Sequence, residues 1–249
     1  MTDLEAIQKR ISRRTYLETP MEEDKVQRIK ECIDEANKTS GLSISFIKDG
    51  SEAFNSIGKS YGMFKGVRSI ILLKGEKSDL NLKEKSGYYG EKIVLKATKL
   101  GLGTCWVGGT FRKASLMIPE GEELICVLTI GNVAEDKTLK EKMINHAIHR
   151  KTKTVEQFYQ SKEKVPDWFV EGMKAVQRAP SAINSQKVRF QYKKEEILIS
   201  IPDTYSFDLV DLGIAKLHFE LSCGLHFDLG NPAVINISET LGGNNEQTL

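Results

Sequence analysis

Residues 169–190 read FVEGMKAVQRAPSAINSQKVRF, and the organisation of the whole chain follows from this stretch. Phe169, Met173 and Val176 recur at helical spacing and give a helix one apolar face. Ala179-Pro180 ends that helix, because proline lacks the amide hydrogen that the ladder needs and biases the residue before it toward extended backbone. In the loop that follows, small side chains let a flat ligand approach the backbone. Asn184 and Gln186 each carry donors and an acceptor, the combination that the edge of a heterocycle requires. Taken alone, the loop reads equally well as a polar cap on its helix.

The same helix–loop–strand pattern occurs earlier. Residues 25–46, KVQRIKECIDEANKTSGLSISF, overlay this stretch with Phe46 on Phe190. Further on, residues 90–102 overlay 213–225, with Gly90 on Gly213, Gly101 on Gly224 and Leu102 on Leu225. Such units also look alike by chance, but two matches in one order point to a duplicated unit fused head to tail. The second copy is shorter by about one strand and its loop. Its partner loop in the first half, Asn37 to Leu42, lacks the proline and the glutamine, so one half keeps chemistry that the other has lost. The expected division is residues 1–150 and 151–249.

The remaining pattern alternates helices and strands. Residues 3–11 form a short helix, and Thr19-Pro20 reads as the cap and first residue of the next. Strands are expected at 42–47, 67–74, 104–107 and 124–130, with a helix at 90–100 stopped by Gly101. Residues 138–165 are highly charged and read as a helical connector. Two strands surround the turn at 194–196, a helix covers 211–223, and residues 239–249 read as a polar tail.

The 249 residues are 40% hydrophobic and 28% charged, an ordinary soluble composition with enough apolar surface for a core. The 36 basic and 34 acidic residues leave a net charge of +2, which argues against nucleic acid or a membrane surface as partner. The first residues lack the apolar segment of a secretory signal. No apolar run approaches the roughly 20 residues of a membrane span. Cys32, Cys105, Cys126 and Cys223 form no CxxC pair and read as buried thiols in a reducing cytoplasm.

Two further segments carry chemistry. In Arg10-Ile11-Ser12-Arg13-Arg14, extended backbone would turn Arg10, Ser12 and Arg14 to one side. Two guanidinium forks and a hydroxyl suit a phosphate, although a solvated basic patch reads the same way. Residues 101–109, GLGTCWVGG, follow a helix and lead into a strand, the reverse of a dinucleotide fingerprint. Gly101 is a helix stop, and Gly108-Gly109 marks a bulge or a close backbone approach within the strand. No phosphate-loop lysine motif, GxSxG or HExxH is present. His146 and His149, with Glu141 nearby, lack a third ligand at a convincing spacing, so no metal site is expected. His218 and His226 read as packing residues.

Together, the Arg-x-Ser-x-Arg arm, the Ala-Pro-Ser-x-x-Asn-x-Gln loop and the helix ending in Gly-Leu-Gly resemble the nitroreductase family of FMN-dependent oxidoreductases. The resemblance covers most of the chain, and the loop at 179–186 is its most specific part. It implies an α+β fold with a mixed, largely antiparallel sheet flanked by helices. The motif order departs from the ordinary pattern, since the Pro-Ser loop here follows the second-half helix. Ordinary members are homodimers with flavin at the interface, so this chain resembles the single-chain, pseudo-dimeric branch, with one complete flavin site and a monomer as the working unit.

The roles carried over are implied by that resemblance. Arg10, Ser12 and Arg14 hold the FMN phosphate, with Arg150 or Lys151 returning to it. Pro180, Ser181 and Asn184 line the isoalloxazine, and Gln186 supports the loop. Gly108 and Gly109 offer backbone N–H groups, and Lys59 falls near the pyrimidine edge. No catalytic side chain is named, because the hydride chemistry belongs to the cofactor. NAD(P)H and a nitroaromatic or quinone-like acceptor are the implied partners. The alternatives are a flavin-binding or regulatory protein without turnover and another flavin reaction on the same fold.

Overall fold

The computed structural model describes residues 1–54, 63–139, 141–143 and 152–237. Helix α1 (Asp3–Lys9) starts with a reciprocal cap: the Thr2 hydroxyl accepts from the Glu5 N–H, and the Glu5 carboxylate accepts from the Thr2 N–H. The chain then runs extended, and Ser12 bridges Thr104 in parallel. Helix α2 (Glu23–Ser40) buries Val26, Ile29, Ile33 and Ala36 on one face and stops at Gly41, whose φ of 73° suits glycine. The helix does not begin at Thr19-Pro20 as the sequence suggests. The carbonyls of both residues accept from the Asn132 amide, which holds this segment outside the helix.

The first half contains one antiparallel sheet, ordered β1-β2-β4-β3: β1 (Ser45–Ile47), β2 (Ser69–Glu76), β3 (Gly103–Val107) and β4 (Glu122–Gly131). β2 is buried over seven of its eight residues, which explains its unbroken apolar run. The glycine pair at 108–109 follows β3 rather than interrupting it. Helix α3 (Leu82–Lys99) starts at Leu82 rather than at 90. Gly87 and Gly90 weaken local helix propensity, but packing requires them. A Cβ on Gly90 would fall 2.6 Å from the Trp106 ring.

The second half carries its own sheet in the order β5-β6-β7-β8: β5 (Tyr159–Ser161), β6 (Arg189–Lys193), β7 (Glu196–Ser200) and β8 (Ala233–Asn236). β5 pairs in parallel with β6, and the other pairs are antiparallel. β5 lies inside the stretch expected to be a helical connector. Its residues gain strand geometry from pairing with β6, a contact the local charge pattern does not signal. β8 is a further strand that the sequence reading does not contain, and it pairs antiparallel with β7. Helix α4 (Asp167–Arg178) covers this sheet, and α5 (Asp208–Cys223) runs against α3.

The order α2–β1–β2–α3–β4 repeats as α4–β6–β7–α5–β8, and β3 is the strand without a second-half counterpart. At the crossing of α3 and α5, a Cβ on Gly87 would collide with the Val210 carbonyl oxygen, and one on Gly213 with that of Glu84. The contact is reciprocal, so Gly87 and Gly213 play the same part at the crossing. At the helix ends Gly101 and Gly224 both take left-handed backbone, with φ of 75° and 72°, as the overlay of 90–102 on 213–225 pairs them. Each half has its own apolar core, and α5 feeds both. Val210 and Ile214 enter the first, while Leu212, Ala215 and Phe219 enter the second. Full burial of Phe169, Phe190 or Phe219 contributes about 2–3 kcal/mol each. The buried Lys216 ammonium donates to Glu84 and to the carbonyls of Asp228 and Gly230, so the charged pair between the central helices is fully hydrogen-bonded.

Candidate active site

The two halves enclose a cavity of about 1050 Å³. This lies at the upper end of the roughly 300–1,000 Å³ of small-molecule sites, enough for a large planar ligand and a second small molecule. Arg10, Ser12 and Arg14 form one part of its wall, Gly108 and Gly109 another, and Pro180, Ser181 and Asn184 a third. Gln186 is buried behind the last group. Lys59, Arg150 and Lys151 lie outside the described residues, as do His146, His149 and the tail at 239–249.

The arm gets its geometry from β3. Arg13 N–H donates to the Thr104 carbonyl at 2.8 Å, so residues 12–14 run beside the strand with alternating side chains. Arg10, Ser12 and Arg14 face the cavity, whereas Arg13 turns inward. There it meets Glu141 and the carbonyls of Ala134 and Asp136. Glu141 also accepts from the backbone N–H groups of Arg14 (2.7 Å), Thr15 (3.1 Å) and Thr138 (2.9 Å). Burial would raise this carboxyl, but these backbone bonds and Arg13 outweigh it and hold the group at about 2. Among the described residues, Arg10 forms an ion pair with Glu91 through Nε at 3.5 Å, without a hydrogen bond there, and donates through Nη2 to the Arg178 carbonyl at 3.4 Å.

The loop after α4 is strained. Ile183, Asn184 and Gln186 all have φ near +50°, a region that β-branched residues in particular avoid. Asp211 stabilises this shape. Its carboxylate accepts from the Ala182 N–H at 3.0 and 3.1 Å and from the Ser185 hydroxyl at 3.4 Å. Burial, then the negative charge of Asp208, pushes the Asp211 carboxyl up to about 7. Gln186 ties the loop to the returning chain by accepting from the Lys153 N–H at 2.9 Å, and its carbonyl accepts from the Lys153 ammonium at 2.7 Å. Its own N–H donates to the Ser181 hydroxyl.

Asp211 is a wall residue that the sequence reading missed. Phe207, Val210, Asp211 and Ile214 all line the cavity at i, i+3, i+4 and i+7 along α5. One carboxylate within an otherwise apolar stripe is the signal that was available. Phe207 also joins the halves: a Cβ on Gly108 would fall 2.5 Å from its ring, while one on Gly109 would meet nothing within 4 Å. Trp106, another missed wall residue, donates its indole N–H to Glu91. His218 is buried as expected but hydrogen-bonds through both ring nitrogens, and His226 is largely exposed beside Glu220 rather than packed.

All four cysteines are free. Among the described residues, no cluster of His, Cys, Asp and Glu could hold a metal ion, and no helix is long and apolar enough to cross a membrane.

A family model described as "Putative TM nitroreductase" matches residues 3–223. A crystal structure from Thermotoga maritima, described as "a putative nitroreductase", is 21% identical. It aligns over 95% of this chain and 94% of its own, with a TM-score of 0.62. An FMN-dependent nitroreductase from Clostridium difficile is 20% identical, with 61% of this chain and 99% of that chain covered at a TM-score of 0.45. A Bacteroides fragilis nitroreductase with bound FMN is 18% identical, with 55% and 91% covered at a TM-score of 0.45. No curated protein matches the chain. The fold is the α+β nitroreductase-like fold, with mixed sheets flanked by helices. The chain belongs to the nitroreductase family, a class of oxidoreductases.

Proposed function

We propose that this protein is an FMN-dependent NAD(P)H oxidoreductase of nitroreductase type, with one flavin site per chain built between halves 1–150 and 151–249. The observation that carries the reading is the shared cavity. The Arg10–Arg14 arm of one half and the Pro180–Asn184 loop of the other line the same space. The donor set fits FMN: two guanidinium groups and a hydroxyl for a phosphate dianion, a small-residue loop for a flat ring, and backbone at Gly108-Gly109 with open space beside Gly109.

In this reading Arg10, Ser12 and Arg14 bind the phosphate, joined by Arg150 or Lys151. Pro180, Ser181 and Asn184 pack along the isoalloxazine, and Gln186 fixes their loop. Gly108 and Gly109 present N–H groups to the ring edge, and Lys59 stands near its pyrimidine side. Bound flavin supplies the redox chemistry, accepting a hydride from NAD(P)H and passing reducing equivalents to a nitroaromatic or quinone-like acceptor. The protein's work is orientation and exclusion of water, helped by Trp106, Phe207 and Val210 in the wall. One chain contains both halves of the site, so a monomer suffices. Four free thiols support a reducing compartment such as the cytoplasm.

The test is spectroscopic. Purified protein should be yellow or should bind added FMN, and anaerobic NADH or NADPH should bleach the flavin band. Failure to bind FMN sinks the reading. Binding without bleaching by either nucleotide would leave a flavin-binding protein without turnover. Arg14→Ala should weaken FMN retention about tenfold or more with the fold intact, and should leave riboflavin, which lacks the phosphate, unaffected.

A further inference from the structure

Glu91 lies within α3, fully buried, and its carboxylate reaches three other elements. Oε2 accepts the indole N–H of Trp106 on β3 at 2.9 Å. Oε1 lies 3.0 Å from Nε2 of His218 on α5 and forms an ion pair at 3.5 Å with Nε of Arg10 in the arm, a buried N–H that makes no hydrogen bond among the described residues. His218 is fully buried too, and its Nδ1 lies 2.9 Å from the Ala175 carbonyl of α4. Arg10 and Trp106 line the cavity, with Glu91 and His218 behind them.

The contacts dictate a proton count. The Ala175 carbonyl only accepts, so Nδ1 carries a proton. The Nε2–Oε1 contact then needs a second proton, on one atom or the other. Without it, a nitrogen lone pair would face a carboxylate oxygen in the dry interior, a costly arrangement. Wherever that proton sits, the Glu91–His218 pair is neutral as a whole. This matters for Arg10. An isolated buried carboxylate would hold the guanidinium but cancel its charge. A neutral pair holds the Nε side and leaves the positive charge available to an anion.

Resting on the reading that the arm binds the flavin phosphate, we propose that Glu91, balanced by His218, is a positioning residue that aims Arg10 into the cavity. Glu91 belongs to the same half as the arm, and its balancing partner His218 belongs to the other.

Glu91→Gln isolates this role. The amide oxygen can still accept from Trp106, and the amide nitrogen can donate to a neutral His218, so those contacts and the neutrality persist. Only the contact with Arg10 is lost, because an NH₂ group then faces a guanidinium N–H. Dissociation constants for FMN and riboflavin are measured by flavin fluorescence quenching on the full-length chain. Glu91→Gln should weaken FMN about tenfold and change riboflavin by less than about twofold. In an Arg10→Ala background it should have no further effect. Unchanged or tighter FMN binding, or equal weakening of both flavins, overturns the proposal. Arg14→Ala separates the two levels. If it loses FMN selectively while Glu91→Gln does not, the inference fails and the phosphate reading stands. If it does not distinguish the two flavins, the phosphate reading itself fails. Nitrogen-15 NMR of His218 in the unaltered chain reads the proton count independently. An Nε2 signal of a bare lone pair, sharing no proton, refutes the arrangement even if the Glu91 variant does not fold.

Discussion

Replacing Glu141 by glutamine tests how the arm is held. The carboxylate is buried and accepts from three backbone N–H groups, the Arg13 guanidinium and the Thr138 hydroxyl. Glutamine keeps one acceptor oxygen but sets an NH₂ group against donors. A carboxyl held at about 2 rather than its ordinary 4.5 stabilises the fold at neutral pH by on the order of 3 kcal/mol, at about 1.4 kcal/mol per tenfold change in proton affinity. The folded-state value is depressed, so this stability is fully present above pH 4.5 and is lost as pH falls toward 2. Urea unfolding at pH 7 should show Glu141→Gln less stable by roughly that amount. Between pH 4.5 and 2 the gap should close, because only the wild type loses the contribution; the other carboxylates titrate alike in both proteins. FMN retention should fall with the arm. A stability difference that stays constant from pH 7 to pH 2 would refute the electrostatic account and leave only a packing defect.

Asp211 should behave with the opposite sign. Its folded-state value is raised from 3.8 to about 7, so the wild type should lose stability as pH rises through that window, by a few kcal/mol in order of magnitude. Asp211→Asn should flatten this slope in urea titrations from pH 4 to 8, and an unchanged slope would count against the assignment. Gly87→Ala and Gly213→Ala each drive a methyl group into the backbone of the facing helix, and should each cost about 3 kcal/mol or more by chemical denaturation. Gly108→Ala meets the Phe207 ring, which can shift, so it should cost about 1–3 kcal/mol; Gly109→Ala meets open space and should cost less. Equal effects at 108 and 109 would contradict the packing described.

Much of the local structure was legible because its causes are local. The apolar stripe of α4, the stop at Ala179-Pro180 and the turn between β6 and β7 depend on neighbouring residues alone. The alternation of Arg10, Ser12 and Arg14 was legible too, since side chains of extended backbone point to alternate sides. The errors fall where a distant partner overrides the local signal. Asn132 keeps Thr19 and Pro20 out of α2, and pairing with β6 makes a strand of residues 159–161.

From the sequence alone came the duplicated plan, the family resemblance and the two segments that line the cavity, because each is written in contiguous residues. Tertiary structure decided what supports them. Glu141, Asp211, Glu91 and His218 are each a single polar residue whose partners lie far away along the chain or are backbone atoms. A buried charge must find such partners or be neutralised, and only the folded chain shows where they are.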